Sequence, residues 1–92
     1  MTEDHSLRKD AAEAIEAIAH GNSTTSQVVG RVIKDIELPP GTTIAAIVRE
    51  GVVHIAHSGL KVKTDDHVIL FLVDKSQVHA VENLFQVSRG FL

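Results

Sequence analysis

Six apolar residues run without a break from Val68 to Val73, between Asp65-Asp66-His67 on one side and Asp74-Lys75 on the other. The run is too short for a helix or a membrane span, so it reads as a buried strand at the centre of a sheet. Side chains alternate faces along a strand, so Val68, Leu70 and Leu72 point one way and Ile69, Phe71 and Val73 the other, and both sets need cover. One cover follows directly: Asp74 is placed to cap a helix, Gln77 stands three residues on as in a capping box, and Val78, Val81, Leu84 and Phe85 recur at helical spacing. Ile69, Phe71 and Val73 then belong either to the core or to a contact with a second copy of the chain.

Upstream, Leu7, Ala11, Ala14, Ile15 and Ile18 fall on one stripe and Gly21 follows His20 as a C-terminal cap, which predicts an amphipathic helix from Ser6 to Ala19. Gly21 to Ser26 has no apolar member and reads as a linker, making that helix separable. Gln27-Val28-Val29-Gly30 is expected to be a short strand, and Val32, Ile33 and Ile36 predict one or two helical turns within Arg31 to Leu38, stopped by Pro39-Pro40-Gly41. Thr42 to Val48 and Val52 to Ala56 flank Glu50-Gly51, the pattern of a hairpin with a two-residue turn. The expected fold is α+β. It has a small four-stranded, mainly antiparallel sheet, a short helix after the first strand, a C-terminal helix and the separable N-terminal helix. The chain divides into a helix and linker (1–26), a compact domain (27–86) and a tail (87–92).

Composition narrows the class. Ninety-two residues make one small domain, for which oligomerisation is a ready source of additional burial. With 43% hydrophobic and 23% charged residues the chain is an ordinary globule, neither disordered nor membrane-embedded. A net charge of −3, three Phe and no Trp or Tyr supply neither a basic footprint nor a stacking platform, which argues against nucleic-acid binding. The absence of Cys excludes disulfides and thiolate metal sites, and with no leader-like segment in view the expected compartment is the cytoplasm.

Six His residues invite a metal or acid–base reading. His54 and His57 are three apart, however, and on one strand they face opposite sides. Asp65-Asp66-His67 holds potential ligands, yet paired acidic residues before a buried strand read more simply as a solvated turn. No Ser lies in a nucleophile-elbow context and every Gly stands singly, so no catalytic residue, metal site, phosphate loop or dinucleotide fingerprint is expected. A small metal-dependent enzyme built on His54, His57, Asp66 and His67 is the alternative. Arg49 ends an apolar strand on the side of Ala45 and Ile47, where its planar fork can meet an anion or pair with an acidic side chain.

Gly30-Arg31-Val32-Ile33-Lys34-Asp35-Ile36-Glu37-Leu38-Pro39, Ile44-Ala45-Ala46-Ile47-Val48-Arg49-Glu50-Gly51, and Leu60 with Asp66-His67-Val68-Ile69-Leu70 resemble the C-terminal subdomain of RCK proteins, the TrkA-C type. Ser6-Leu7-Arg8-Lys9, Ala12 to Gly21 and Asn83-Leu84-Phe85-Gln86 extend the resemblance to regulatory subunits of Trk-type potassium uptake. The resemblance implies a non-enzymatic cytoplasmic protein, peripheral on the inner face of the cell membrane. It would form homodimers or higher rings on the membrane potassium-transport subunit of a Trk system. NAD(H) or ATP would be bound by Rossmann subdomains absent here, so no cofactor is expected in this chain, which would be a C-terminal fragment. Some relatives bind a small regulatory ligand, such as a cyclic dinucleotide, between two copies near the hairpin. The matching positions are Arg49 and Ile55, while the family's frequent Pro after the second hairpin strand is replaced by Ala56-His57. An RCK-like sensing domain of another transporter would share this fold.

Overall fold

The apolar run forms an inner strand, as its continuous hydrophobicity predicts. In the computed structural model, which describes residues 13–87, strands β1 (Glu13–Ile18), β2 (Thr42–Arg49), β3 (Val52–Ile55) and β4 (His67–Leu72) make one sheet. Its order is β1-β4-β2-β3, with every neighbouring pair antiparallel. The hairpin is the predicted one: Glu50 and Gly51 both adopt positive φ (51° and 78°), as a two-residue turn matched to sheet twist requires. After β4, Asp74 accepts a hydrogen bond from the Ser76 N–H at 2.9 Å, and a single 3-10 turn leads into helix α1 (Val78–Phe85).

A bulge explains a pattern in β2 that simple alternation does not. Ile44 and Ile47, three apart, would point to opposite faces of a regular strand, yet both are buried. The register shift between Ile44 and Ala46 turns both inward, against Leu70 and Val68 respectively. They meet a core in which Val68, Leu70 and Leu72 of β4 are fully buried with Val28, Val62 and Val81, closed by Val29, Ile36, Ala19 and Phe85. Each fully buried aliphatic side chain contributes roughly 1.5–3 kcal/mol. Among the described residues only this face of the sheet is covered.

Three expectations about the first half of the chain are corrected. Residues 13–18 are the edge strand β1, paired with β4 from Glu13↔Leu72 to Ile18↔His67, and not the C-terminal half of a helix. Apolar residues at 14, 15, 17 and 18 satisfy either period. Tertiary pairing decides, because the strand sends Ile15, Ala17 and Ala19 to the core and ties Ala19 to Asp66 through its N–H (2.9 Å). Ser6, Leu7 and Ala11 lie outside the described residues. The segment from Gln27 to Gly30 is a bend and not a strand: the Ser26 hydroxyl accepts from the N–H groups of both Val28 and Val29 at 3.0 Å. That bend lets two consecutive valines face the core. Finally, the helix expected within Arg31 to Leu38 shrinks to one 3-10 turn, Ile33–Asp35. Its backbone pairs elsewhere, since Gly30 and Ile33 donate to the carbonyls of Val62 and Leu60 (2.8 and 2.9 Å) and Val62 donates to that of Arg31 (2.9 Å). This pairing lays a two-segment flap over the core.

Candidate functional site

Two features stand out, one on each side of the sheet. On the core side, at the end where β2 finishes and β4 begins, Arg49 and Asp66 form a forked ion pair. Arg49 Nε donates to Asp66 Oδ1 at 2.8 Å and Nη2 donates to Oδ2 at 2.7 Å. The same Nη2 donates to the Lys61 carbonyl, and the Lys63 N–H donates to Asp66 Oδ2, each at 2.8 Å. Asp66 is fully buried, whereas the Arg49 side chain keeps 22% of its exposure. Burial alone pushes the Asp66 carboxyl up, but the Arg49 hydrogen bonds, the Lys63 N–H and the nearby positive charge of Arg49 together outweigh it and hold the group below the usual carboxylate range. The hydrogen bond to Asp66 correspondingly raises Arg49. Arg49 and Asp66 line a cavity of about 640 Å³ with Glu50, Lys63, Asp65 and His67.

The other feature is the sheet face that nothing in residues 13–87 covers. Ile55 is 73% exposed, Val53 59%, Phe71 50% and Val73 61%, and Ile69, Ala46 and Val48 are half-buried beside them. Among the described residues Ile69, Phe71 and Val73 are not part of the core cluster. Cross-strand pairing makes the face continuous, with Ile55 opposite Ala46, Val53 opposite Val48, and Ile69 between Ala46 and Glu16. The Glu16 carboxylate contacts His67 Nδ1 at the end of this face.

Arg49 and Ile55 are not brought together. Arg49 points to the core side with Ile47, while Ile55 lies on the open face. His54, His57, Asp66 and His67 do not converge either, since Asp66 is taken by Arg49 and His67 faces Glu16. Among the described residues no group of three or more His, Asp or Glu side chains could hold a metal ion. The solvated-turn reading of Asp65-Asp66 holds for Asp65, which is exposed with φ at 70°, and fails for Asp66. Strand parity carries the missed signal: Asp66 is two residues before Val68 and four before Leu70, and Arg49 is two after Ile47, so both extend core-facing series. A fully buried acid needs a partner, and the half-buried Arg at the same end of the adjacent strand supplies it.

The antiparallel four-stranded sheet backed by one C-terminal helix and one flap is an RCK-like fold. A solved RCK domain with cda has this fold, with a TM-score of 0.63 at 12% identity over 79% of this chain and 97% of that one. The BusR protein of S. agalactiae, solved with its busA promoter DNA, also shares it. There the TM-score is 0.65 at 19% identity, over 92% of this chain and 40% of that one. At such identities the likeness is one of fold alone. The sequence is more specific: the chain belongs to the TrkA-C domain family, whose profile matches residues 23–86. It is 60% identical over 87 residues to the Trk system potassium uptake protein TrkA of Halomonas elongata, and 62% identical to that of Vibrio alginolyticus. Both matches take in 95% of this chain and 19% of the relative, so the chain spans about a fifth of the length of these relatives.

Proposed function

We propose that this chain is the C-terminal regulatory module of a Trk-type potassium-uptake subunit, acting without catalysis in the cytoplasm, on the inner face of the membrane beside the potassium-transporting subunit. The carrying observation is the family match combined with an apolar sheet face left open on an otherwise well-packed fold. In this reading residues 27–86 carry the regulatory function, with β1 completing their sheet from the preceding segment.

The occupant of the open face is a second copy of the chain. Ile18, Val53, Ile55 and Phe71 expose on the order of 400 Å² of apolar surface, as much as the largest patches that monomers carry. Two such faces bury about 800 Å² together, which suits a weak, reversible dimer rather than an obligate one. Among the described residues the face carries one acid and one His, so two copies meet without a concentration of like charge. Ile69, Phe71 and Val73 lie at the contact. A small regulatory ligand would rest on the face at Ile55 and reach Arg49 only around the edge of β3.

Sedimentation equilibrium tests the dimer. Concentration-dependent association that Phe71→Glu abolishes, with an unchanged far-UV spectrum, is the expected result. A monomer at high micromolar concentration sinks the reading. For the ligand, a thermal-shift screen with cyclic dinucleotides applies, since a ligand at one hundred times its Kd stabilises by about 2.7 kcal/mol.

A further inference from the structure

We propose that closure of the open sheet face by a second copy takes up protons, with His67 of each copy held as the imidazolium partner of Glu16. The inference rests on the dimer reading above and adds its regulation. His67 and Glu16 sit on the uncovered side of the sheet, on the central strand β4 and the edge strand β1, with Nδ1 in contact with the carboxylate. Both are now wet, with side chains 46% and 52% exposed. Around them the open face is apolar: Ile18 lies opposite His67 on β1, Val48 opposite it on β2, and Ile69 opposite Glu16.

A partner laid over this face removes water from the pair. A carboxylate facing a neutral imidazole would then be a desolvated single charge, which is costly, whereas a carboxylate facing an imidazolium is a hydrogen-bonded ion pair of zero net charge. Imidazole changes charge between pH 5 and 8, so assembly gains strength as pH falls through that window and loses it as pH rises.

The other charged groups around His67 do not reproduce this arrangement. Arg49, Glu50, Lys63, Asp65 and Asp66 line the cavity at the start of β4 with His67, and Asp66 is already committed to Arg49. On the open face itself, β2 presents Thr43, Ala46 and Val48, and β3 presents Val53 and Ile55. Among the described residues Glu16 is thus the titratable partner that this face offers.

Sedimentation equilibrium of the 92-residue chain at pH 6, 7 and 8 and constant ionic strength, with the single variants Glu16→Gln and His67→Gln and the double variant, provides the test. The dimer of the unmodified chain should weaken by about tenfold or more from pH 6 to pH 8, one unit of linkage per copy being worth tenfold. Glu16→Gln should reverse the sign, because a desolvated imidazolium without its acid opposes assembly at low pH. The double variant should dimerise with no pH slope. All sites are exposed on the monomer, and circular dichroism checks the fold of each variant. A dimer whose constant is the same at all three pH values, or whose slope survives in His67→Gln, overturns the proton coupling and leaves the dimer standing. A chain that is monomeric throughout overturns both.

Discussion

Asparagine at position 66 removes the charge of a fully buried carboxylate while keeping its shape, and so isolates what the Arg49 clasp contributes. The native group accepts two hydrogen bonds from Arg49 and one from the Lys63 N–H, and the Lys61 carbonyl shares the same guanidinium. Breaking a buried pair by removing one partner costs about 3–5 kcal/mol. Water reaches the Arg49 side chain, 22% exposed, which lowers that figure to roughly 2–4 kcal/mol. Asp66→Asn keeps the Lys63 bond and should fall near 2 kcal/mol, whereas Arg49→Ala strands a buried carboxylate and should approach 4 kcal/mol. Arg49→Lys should lie between, because a point charge cannot bridge both oxygens and the Lys61 carbonyl at once. For a domain of this size each kcal/mol is about 4–8 °C of Tm, so urea or thermal unfolding followed by circular dichroism resolves all three. The clasp also has a pH signature. Its carboxyl is held below the unfolded value of about 3.9, so its stabilisation is complete above roughly pH 5 and is lost as the pH falls through the lowered native value. Asp66→Asn should lack that part of the acid transition. If Asp66→Asn and Arg49→Ala both stay within about 0.5 kcal/mol of the parent, the range of ordinary surface changes, the reasoning from burial is wrong.

Leu70→Ala and Phe71→Ala, neighbours in one strand, should behave oppositely: Leu70 is fully buried and should cost about 2–5 kcal/mol in denaturant unfolding, while Phe71, 50% exposed, should cost less than about 1 kcal/mol. Phe71→Ala should instead weaken self-association measured by sedimentation, and a loss of stability as large as that of Leu70→Ala would mean that the face is covered within the chain. Glu50 holds φ at 51° in the hairpin turn, so Glu50→Asn, which suits a left-handed position before Gly51, should raise stability by about 0.5–1 kcal/mol. An unchanged or lower Tm would show that the Glu50 side chain does something the turn geometry does not reveal.

Much of the regular structure was legible along the chain, and so was one half of the clasp. The hairpin turn, β4 and the helix after Asp74 follow from strong local patterns, and strand parity places Arg49 on the side of Ile47. Its partner is masked, because an Asp-Asp pair before a strand has the composition of a turn. Only the alternation from Asp66 to Val68, Leu70 and Leu72 distinguishes the buried acid from the exposed one.

What the sequence determined by itself was local: where an unbroken apolar run must be a strand, where Glu50-Gly51 must turn, and where Asp74 can start a helix. What the tertiary structure decided was every choice between periods. Glu13 to Ile18 satisfies helix and strand alike, and becomes β1 because the edge of β4 offers it hydrogen bonds and a core for Ile15 and Ala17. The backbone around Arg31 to Ile33 forgoes a helix because the segment from Leu60 to Val62 satisfies its polar groups instead. The same global arrangement settles the two faces of β4. Hydrophobicity requires that both Leu70 and Phe71 be accounted for, and only the positions of α1 and the flap show that, within the described residues, one is buried and the other half-exposed.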